Sequence, residues 1–91
     1  MANLRGDTNA EFIKKCVKGI VSRISRIDEE ELQDDLLIRE ELGIDSLMAM
    51  EIIATCEKAL KVRINENEFS NIRTVGEFLN LIYSISLREK S

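Results

Sequence analysis

Residues 42–50 read LGIDSLMAM. One serine, Ser46, follows an acid, Asp45, and opens a helix-favouring run in which Leu47, Met48 and Met50 are bulky and apolar. A serine in such a place can be a nucleophile, the site of a phosphate ester, or a helix cap. Acting alone as a nucleophile it needs a base, and the chain contains no histidine. No Ser–His–Asp or Cys–His unit can therefore be assembled from this chain alone. Zinc sites of the usual Cys/His kinds fail on ligand count, since only Cys16 and Cys56 are present. A self-sufficient enzyme is a poor reading of these residues. A helix beginning at Asp45 or Ser46 would, however, direct free amide groups and the positive end of its dipole at the serine, a setting that favours an anion. A phosphate ester on Ser46 would be well placed there. The plainer reading, a serine that simply belongs to a helix cap, stands beside it.

The elements that hold this stretch are helical. The chain has no proline, four glycines and 44% hydrophobic residues, which fits a small globular fold. A first helix is expected from Thr8, where Thr8-Asn9-Ala10-Glu11 fits a capping box. Phe12, Ile13, Cys16, Val17, Ile20, Val21 and Ile24 then recur at spacings of three and four as one apolar face, ending near Ser25 or Arg26. Residues 27–44 form a long, acidic connection with no clean period. Leu36, Leu37, Ile38 and Leu42 are its expected pins, and a short turn is expected near Glu29 to Gln33. Gly43 gives the backbone freedom just ahead of Asp45.

The second helix is expected from Asp45 or Ser46 to about Leu60. Val62 and Ile64 of the following KVRI tuck a connector into the core rather than form a strand. Asn65 to Glu68 and Thr74 to Glu77 are two further capping-box patterns. They open a short helix through Ser70 and a last helix with Val75, Phe78, Leu79, Ile82 and Ile85 inward. The expected fold is all-α: a small four-helix bundle with three main helices, a short third helix and a long loop between helices one and two. With 91 residues, a single domain is expected, structured over about residues 8–86.

At about 100° per residue the second helix carries two apolar strips. Ala49, Ile52, Ile53, Cys56 and Leu60 fall within an arc of roughly 100°, wide enough for the core face. Leu47, Met50 and Ala54 fall within roughly 60° of one another beside Ser46, flanked by Glu51 and Glu57, with Met48 and Thr55 on the far side. Isolated exposed Leu or Met is ordinary on protein surfaces. A docking surface, with an apolar centre, a charged rim and adaptable methionine, is the alternative.

The combination of LGIDSL, Glu51, the apolar helix around them and the later RINENEFSNIRTVGEFLNLI resembles the acyl carrier protein family in its broad sense, over about Phe12 to Leu81. The family includes the carriers of fatty-acid and polyketide synthases and the aminoacyl or peptidyl carriers. The resemblance implies that Ser46 is the attachment site of a covalent 4′-phosphopantetheine arm derived from coenzyme A, on whose thiol intermediates travel as thioesters. It implies a separate phosphopantetheinyl transferase using Mg²⁺, with Asp45 capping the helix and contacting the transferase's metal. Acyl-loading and condensing or tailoring enzymes are the further partners, met through Leu47, Met50, Glu51, Ala54 and Glu57. DSLMAM is closer to polyketide-type carriers, and Lys58 and Lys61 dilute the acidity that many fatty-acid carriers show along this helix. An aminoacyl or peptidyl carrier, or a helical interaction protein that never receives the arm, are the other readings.

The remaining expectations follow from bulk properties. A formal charge of −4 argues against nucleic acid as a partner. No segment approaches transmembrane length, and MANLRGDTNA has no apolar stretch fit for a signal peptide. A soluble, cytoplasmic monomer is expected, with no attached synthase domains and with Cys16 and Cys56 as buried, reduced thiols on core faces.

Overall fold

The computed structural model describes residues 10–90. It contains α1 (Ala10–Ser25), a 3₁₀ turn (Glu29–Glu31), α2 (Ser46–Leu60), α3 (Glu66–Ser70) and α4 (Val75–Lys90). The expected all-α bundle with a short third helix and a long first connection is the fold observed. The capping box expected at Thr8 lies outside the described residues.

Helix α1 buries Ile13, Val17, Ile20 and Val21 as its inner stripe. Phe12 was expected on that stripe but is half exposed. It lies about 100° around the helix from Ile13, past the edge of the core contact. Cys16 stands on the same margin of the stripe, nearer the core than Phe12, and is only partly buried, which corrects the expectation of two buried thiols. Cys56 of α2 is fully buried. That burial, reinforced by neighbouring Cys16 and Glu57, pushes its thiol up to about 12. Helix α1 ends where the Ser25 hydroxyl donates to the Val21 carbonyl (2.6 Å) and Arg26 turns to φ 68°.

Helix α4 supplies the centre of the core. Ile82 and Ile85 are wholly inaccessible and Leu79 and Phe78 nearly so. Each such side chain contributes roughly 1.5–3 kcal/mol by burial. Its start is a capping box: the Glu77 amide donates to Thr74 Oγ1 (3.1 Å), and Glu77 Oε1 accepts from the Arg73 (2.7 Å) and Thr74 (3.3 Å) amides. Those two bonds hold the Glu77 carboxyl below its ordinary value. Helix α3 has too few residues to stand by itself. It is held by its Asn65 cap and by Phe69, which is buried edge-on to Phe78 with ring centroids 5.4 Å apart. As expected, Val62 and Ile64 are buried and tie the preceding connector to the core.

The long connection is pinned more firmly than its composition indicates. Ile38 is buried and Leu36 and Leu42 pack against the core, as expected. Leu32, in the middle of the acidic run, is also buried, at 1% exposure. Backbone bonds complete the attachment. Val75 donates to the Leu36 carbonyl (3.0 Å), Gly76 to that of Asp34 (2.8 Å) and Ile38 to that of Arg73 (2.8 Å). Leu37 and Thr74 form an isolated antiparallel bridge. The approach at Gly76 is so close that a Cβ there would sit 3.1 Å from the Asp34 carbonyl oxygen. The loop then turns at Gly43, where φ is +69° and a side chain would be strained. The Ile44 amide bonds back to the Ile38 carbonyl (3.1 Å) and the Ile44 side chain is buried. The chain is thus fixed to the core immediately before α2 begins.

Candidate functional site

Asp45 is the N-cap of α2, with extended backbone (φ −88°, ψ −178°). Its Oδ1 accepts from the Met48 amide at 2.9 Å, and its carbonyl accepts from Ala49 at 2.9 Å. Ser46 is the first helical residue and is exposed. Because Asp45 satisfies the Met48 amide, the remaining first-turn amides, with no intrahelical acceptor, keep the positive end of the helix at Ser46.

The two-strip reading of α2 agrees with the structure. Ala49, Ile52 and Cys56 are buried, with Ile53 and Leu60 partly so. On the other strip Leu47 is 78% and Met50 56% exposed, and Ala54 is exposed as well. Glu51 is exposed beside them. Met48 departs from the expectation: it packs partly against the core. On the helical projection it stands only about 40° from Ile52, so it borders the core strip. Glu57 is half-buried, and its Oε2 accepts from the Ile64 amide at 2.8 Å, bracing the connector after α2.

Ser46 opens onto a groove of about 200 Å³ between α2 and α3. Ser46, Ala49, Met50 and Ile53 form one wall. Glu66, Asn67, Phe69 and Ser70 form the other. Arg39, from the long connection, closes one side, and its Nη1 donates to the Ile72 carbonyl at 3.4 Å. Two hydroxyls therefore face this groove, and their settings differ. Ser70 Oγ donates to the Glu66 carbonyl (3.0 Å) at the C-terminal end of α3, where backbone carbonyls disfavour an anion. Ser46 stands at the N-terminal end of α2, where an anion is favoured. The reading of the sequence did not single out Arg39. Its only signal was one cation among the acids preceding Gly43, and its place in the groove depends on the fold of the loop.

Among the described residues no group of three or more His, Cys, Asp or Glu side chains could hold a metal ion, and no helix is long and apolar enough to cross a membrane. What the site offers is an accessible hydroxyl in a field that favours phosphate, next to a groove with both polar and apolar walls. A phosphate-linked, flexible, amphiphilic group fits those residues: the helix end suits its phosphate, and Asn67, Met50 and Ile53 suit polar and apolar parts of a chain.

The comparisons with known proteins point the same way. A family model for the phosphopantetheine attachment site matches residues 16–82. The chain is 41% identical over 59 residues to polyketide-8 synthase acyl carrier protein 1 of Streptomyces avermitilis, covering 65% of this chain and 70% of that protein. It is 32% identical over 77 residues to acyl carrier protein 2 of the same synthase, covering 85% and 88% of the two chains. An acyl carrier protein of Acidothermus cellulolyticus is 29% identical over 63 residues, covering 69% and 75%. In fold, the chain is similar to the solved structure of a candidate acyl carrier protein from Mycobacterium tuberculosis, with a TM-score of 0.73, 24% identity and coverage of 79% and 96%.

The fold and the match over most of its length define a carrier domain for a covalently held 4′-phosphopantetheine group. The chain belongs to the acyl carrier protein family. Members of this family carry acyl intermediates rather than transform them, and they interact with a phosphopantetheinyl transferase and with biosynthetic enzymes.

Proposed function

We propose that Ser46 is the residue that receives the 4′-phosphopantetheine arm, and that the chain is a single carrier domain serving polyketide-type biosynthesis. The observation that carries the assignment is the exposed Ser46 at the first position of α2, behind the Asp45 cap and at the mouth of the groove. The two polyketide-8 synthase carriers among its relatives support the pathway class. A cytoplasmic monomer is part of the same reading.

When attached, the arm supplies a terminal thiol on which acyl groups are held as thioesters. The chain's own residues act on position and encounter. Asp45 holds the first turn of α2 so that Ser46 Oγ presents itself to solvent. The chain has no histidine to accept the hydroxyl proton, and activation of Ser46 Oγ is assigned to the docked transferase. Leu47, Met50 and Ala54 offer an apolar centre for a partner, with Glu51 as an acidic rim and Glu57 at the far end of the strip. A thiol tethered at Ser46 meets each docked partner at high effective concentration, so the affinity of the docking itself can stay modest.

The test is intact mass after incubation with coenzyme A, Mg²⁺ and a broad-specificity phosphopantetheinyl transferase. The expected result is the gain of one phosphopantetheine, mapped by peptide analysis to Ser46 and absent from Ser46→Ala, which stays folded. An arm on Ser46→Ala at another serine overturns the assignment.

A further inference from the structure

The groove beside Ser46 has one cation in its lining, Arg39, and one anion, Glu66. Arg39 reaches the groove from the long connection that leads into α2. Its Nη1 donates a long hydrogen bond (3.4 Å) to the carbonyl of Ile72, in the turn between α3 and α4, which directs the side chain to this side of the groove. That single bond uses one of five N–H donors and leaves the rest of the planar fork able to meet an oxyanion. The backbone bonds that pin the loop, above all Ile38 to Arg73, hold the residue before Arg39 against the same turn. Arg39 therefore stands at the side of the Ser46 groove as a consequence of the fold, and among the described residues it makes no ion pair with an acidic side chain.

We infer that Arg39 is a phosphate-binding positioning residue: it engages the phosphodiester carried on Ser46 and biases the arm to lie along the α2–α3 groove. This rests on the reading of Ser46 as the attachment residue. Charge complementarity selects the occupant. A phosphodiester is an obligate anion near neutral pH, and its tether at the groove's mouth gives Arg39 a high local concentration of one ligand. Glu66 on the α3 wall opposes a phosphate moving towards it, whereas Arg39 and the start of α2 attract the anion. The remainder of the groove, with Asn67 and Ser70 polar and Met50 and Ile53 apolar, suits the chain that follows the phosphate. Because Arg39 is exposed, the interaction is modest and screened by salt, which allows the arm to leave for a partner enzyme.

The experiment uses ¹⁵N-labelled protein before and after loading of the arm, with loading on Ser46 first established by intact mass and peptide mapping. In the wild-type chain the Arg39 Nε–H resonance and the amides of Ser46, Asn67 and Ser70 shift on loading, and the Arg39 shift declines as salt is raised. Arg39→Gln removes the charge and reduces the population of the docked arm by up to about fivefold, the worth of an exposed charged pair. Arg39→Lys, which keeps the charge without the fork, recovers part of that loss. An Arg39 Nε–H resonance unchanged by loading overturns the inference without recourse to any variant. So does a folded Arg39→Gln whose groove amides shift as in the wild type. Failure to load Ser46 is read from the mass before any spectrum and overturns the attachment reading instead, taking this inference with it.

Discussion

Asp45 Oδ1 and the Met48 amide, 2.9 Å apart, close the first turn of α2 directly over Ser46. The bond separates two roles that one acidic residue can hold, since an asparagine can make it too, whereas a metal contact calls for charge.

Asp45→Ala is expected to lower stability in urea unfolding by about 0.5–2 kcal/mol, the usual cost of losing an N-cap. Asp45→Asn should recover nearly all of that. If Asp45→Asn is stable but loads the arm slowly, the carboxylate charge serves the transferase and not the fold. Equal losses of stability in both variants would show that charge, not the cap bond, is what steadies this turn.

Glu77 gives a pH-dependent counterpart at the start of α4. Its carboxylate accepts from the Arg73 and Thr74 amides, and these bonds lower its pKa from an ordinary 4.5. Between the folded and unfolded values the unfolded chain binds more protons, so acid favours unfolding. Glu77→Gln keeps a capping-box side chain but cannot titrate. The wild type should be the more stable at neutral pH, with the difference vanishing as pH falls from about 4.5 through the lower folded value. A difference that is constant across that range would contradict the charged bond.

Much of this arrangement was legible in the sequence. Capping boxes and three-four spacing marked the helices, and the double periodicity of residues 46–60 separated Met50 from Ile52. The long connection was less so. Its pins were partly visible as Leu36, Ile38 and Leu42, but Leu32 lies in an acidic run with no period to reveal it. The bonds from Val75 to Leu36 and from Gly76 to Asp34 join backbone groups, which carry no residue signature. Arg39 shares that limitation: a lone arginine acquires a site only when the loop is laid against the turn at Ile72. Phe12 and Cys16 show the opposite case: three-four spacing joins them to the apolar face of α1, but the face that meets the core is narrower.

The cysteines should now behave differently from each other. Cys16 is partly exposed, whereas Cys56 is buried with its thiol raised to about 12. In the native protein one thiol should react with a thiol reagent well before the other, and Cys16→Ala should leave only the slow phase. Full reaction should require denaturation. Above an unfolded value near 9.0 the unfolded chain loses the Cys56 proton that the folded chain retains, so this residue makes stability fall as pH rises towards about 12. Fast native labelling of Cys56 would mean that α1 and α2 open readily.

The exposed strip of α2 is tested by pairing stability with transfer. Met50 is 56% exposed, so Met50→Ala should unfold in urea nearly as the wild type does. Ile52, on the opposite face of α2 from the surface strip and 2% exposed, is the internal contrast: Ile52→Ala should cost about 2–5 kcal/mol. If Met50 belongs to the docking surface, Met50→Ala should load the arm more slowly despite its intact fold. Glu51→Lys should do the same through charge, because an acidic rim guides a basic partner surface. The Glu51 effect should shrink as salt rises, since the screening length is only about 8 Å at physiological ionic strength, while the Met50 effect should persist. Loading rates at low and high salt, measured beside unfolding for each variant, decide the matter. Loss of several kcal/mol in Met50→Ala would place Met50 in the core. Wild-type loading by both stable variants would move the transferase's contact away from this strip.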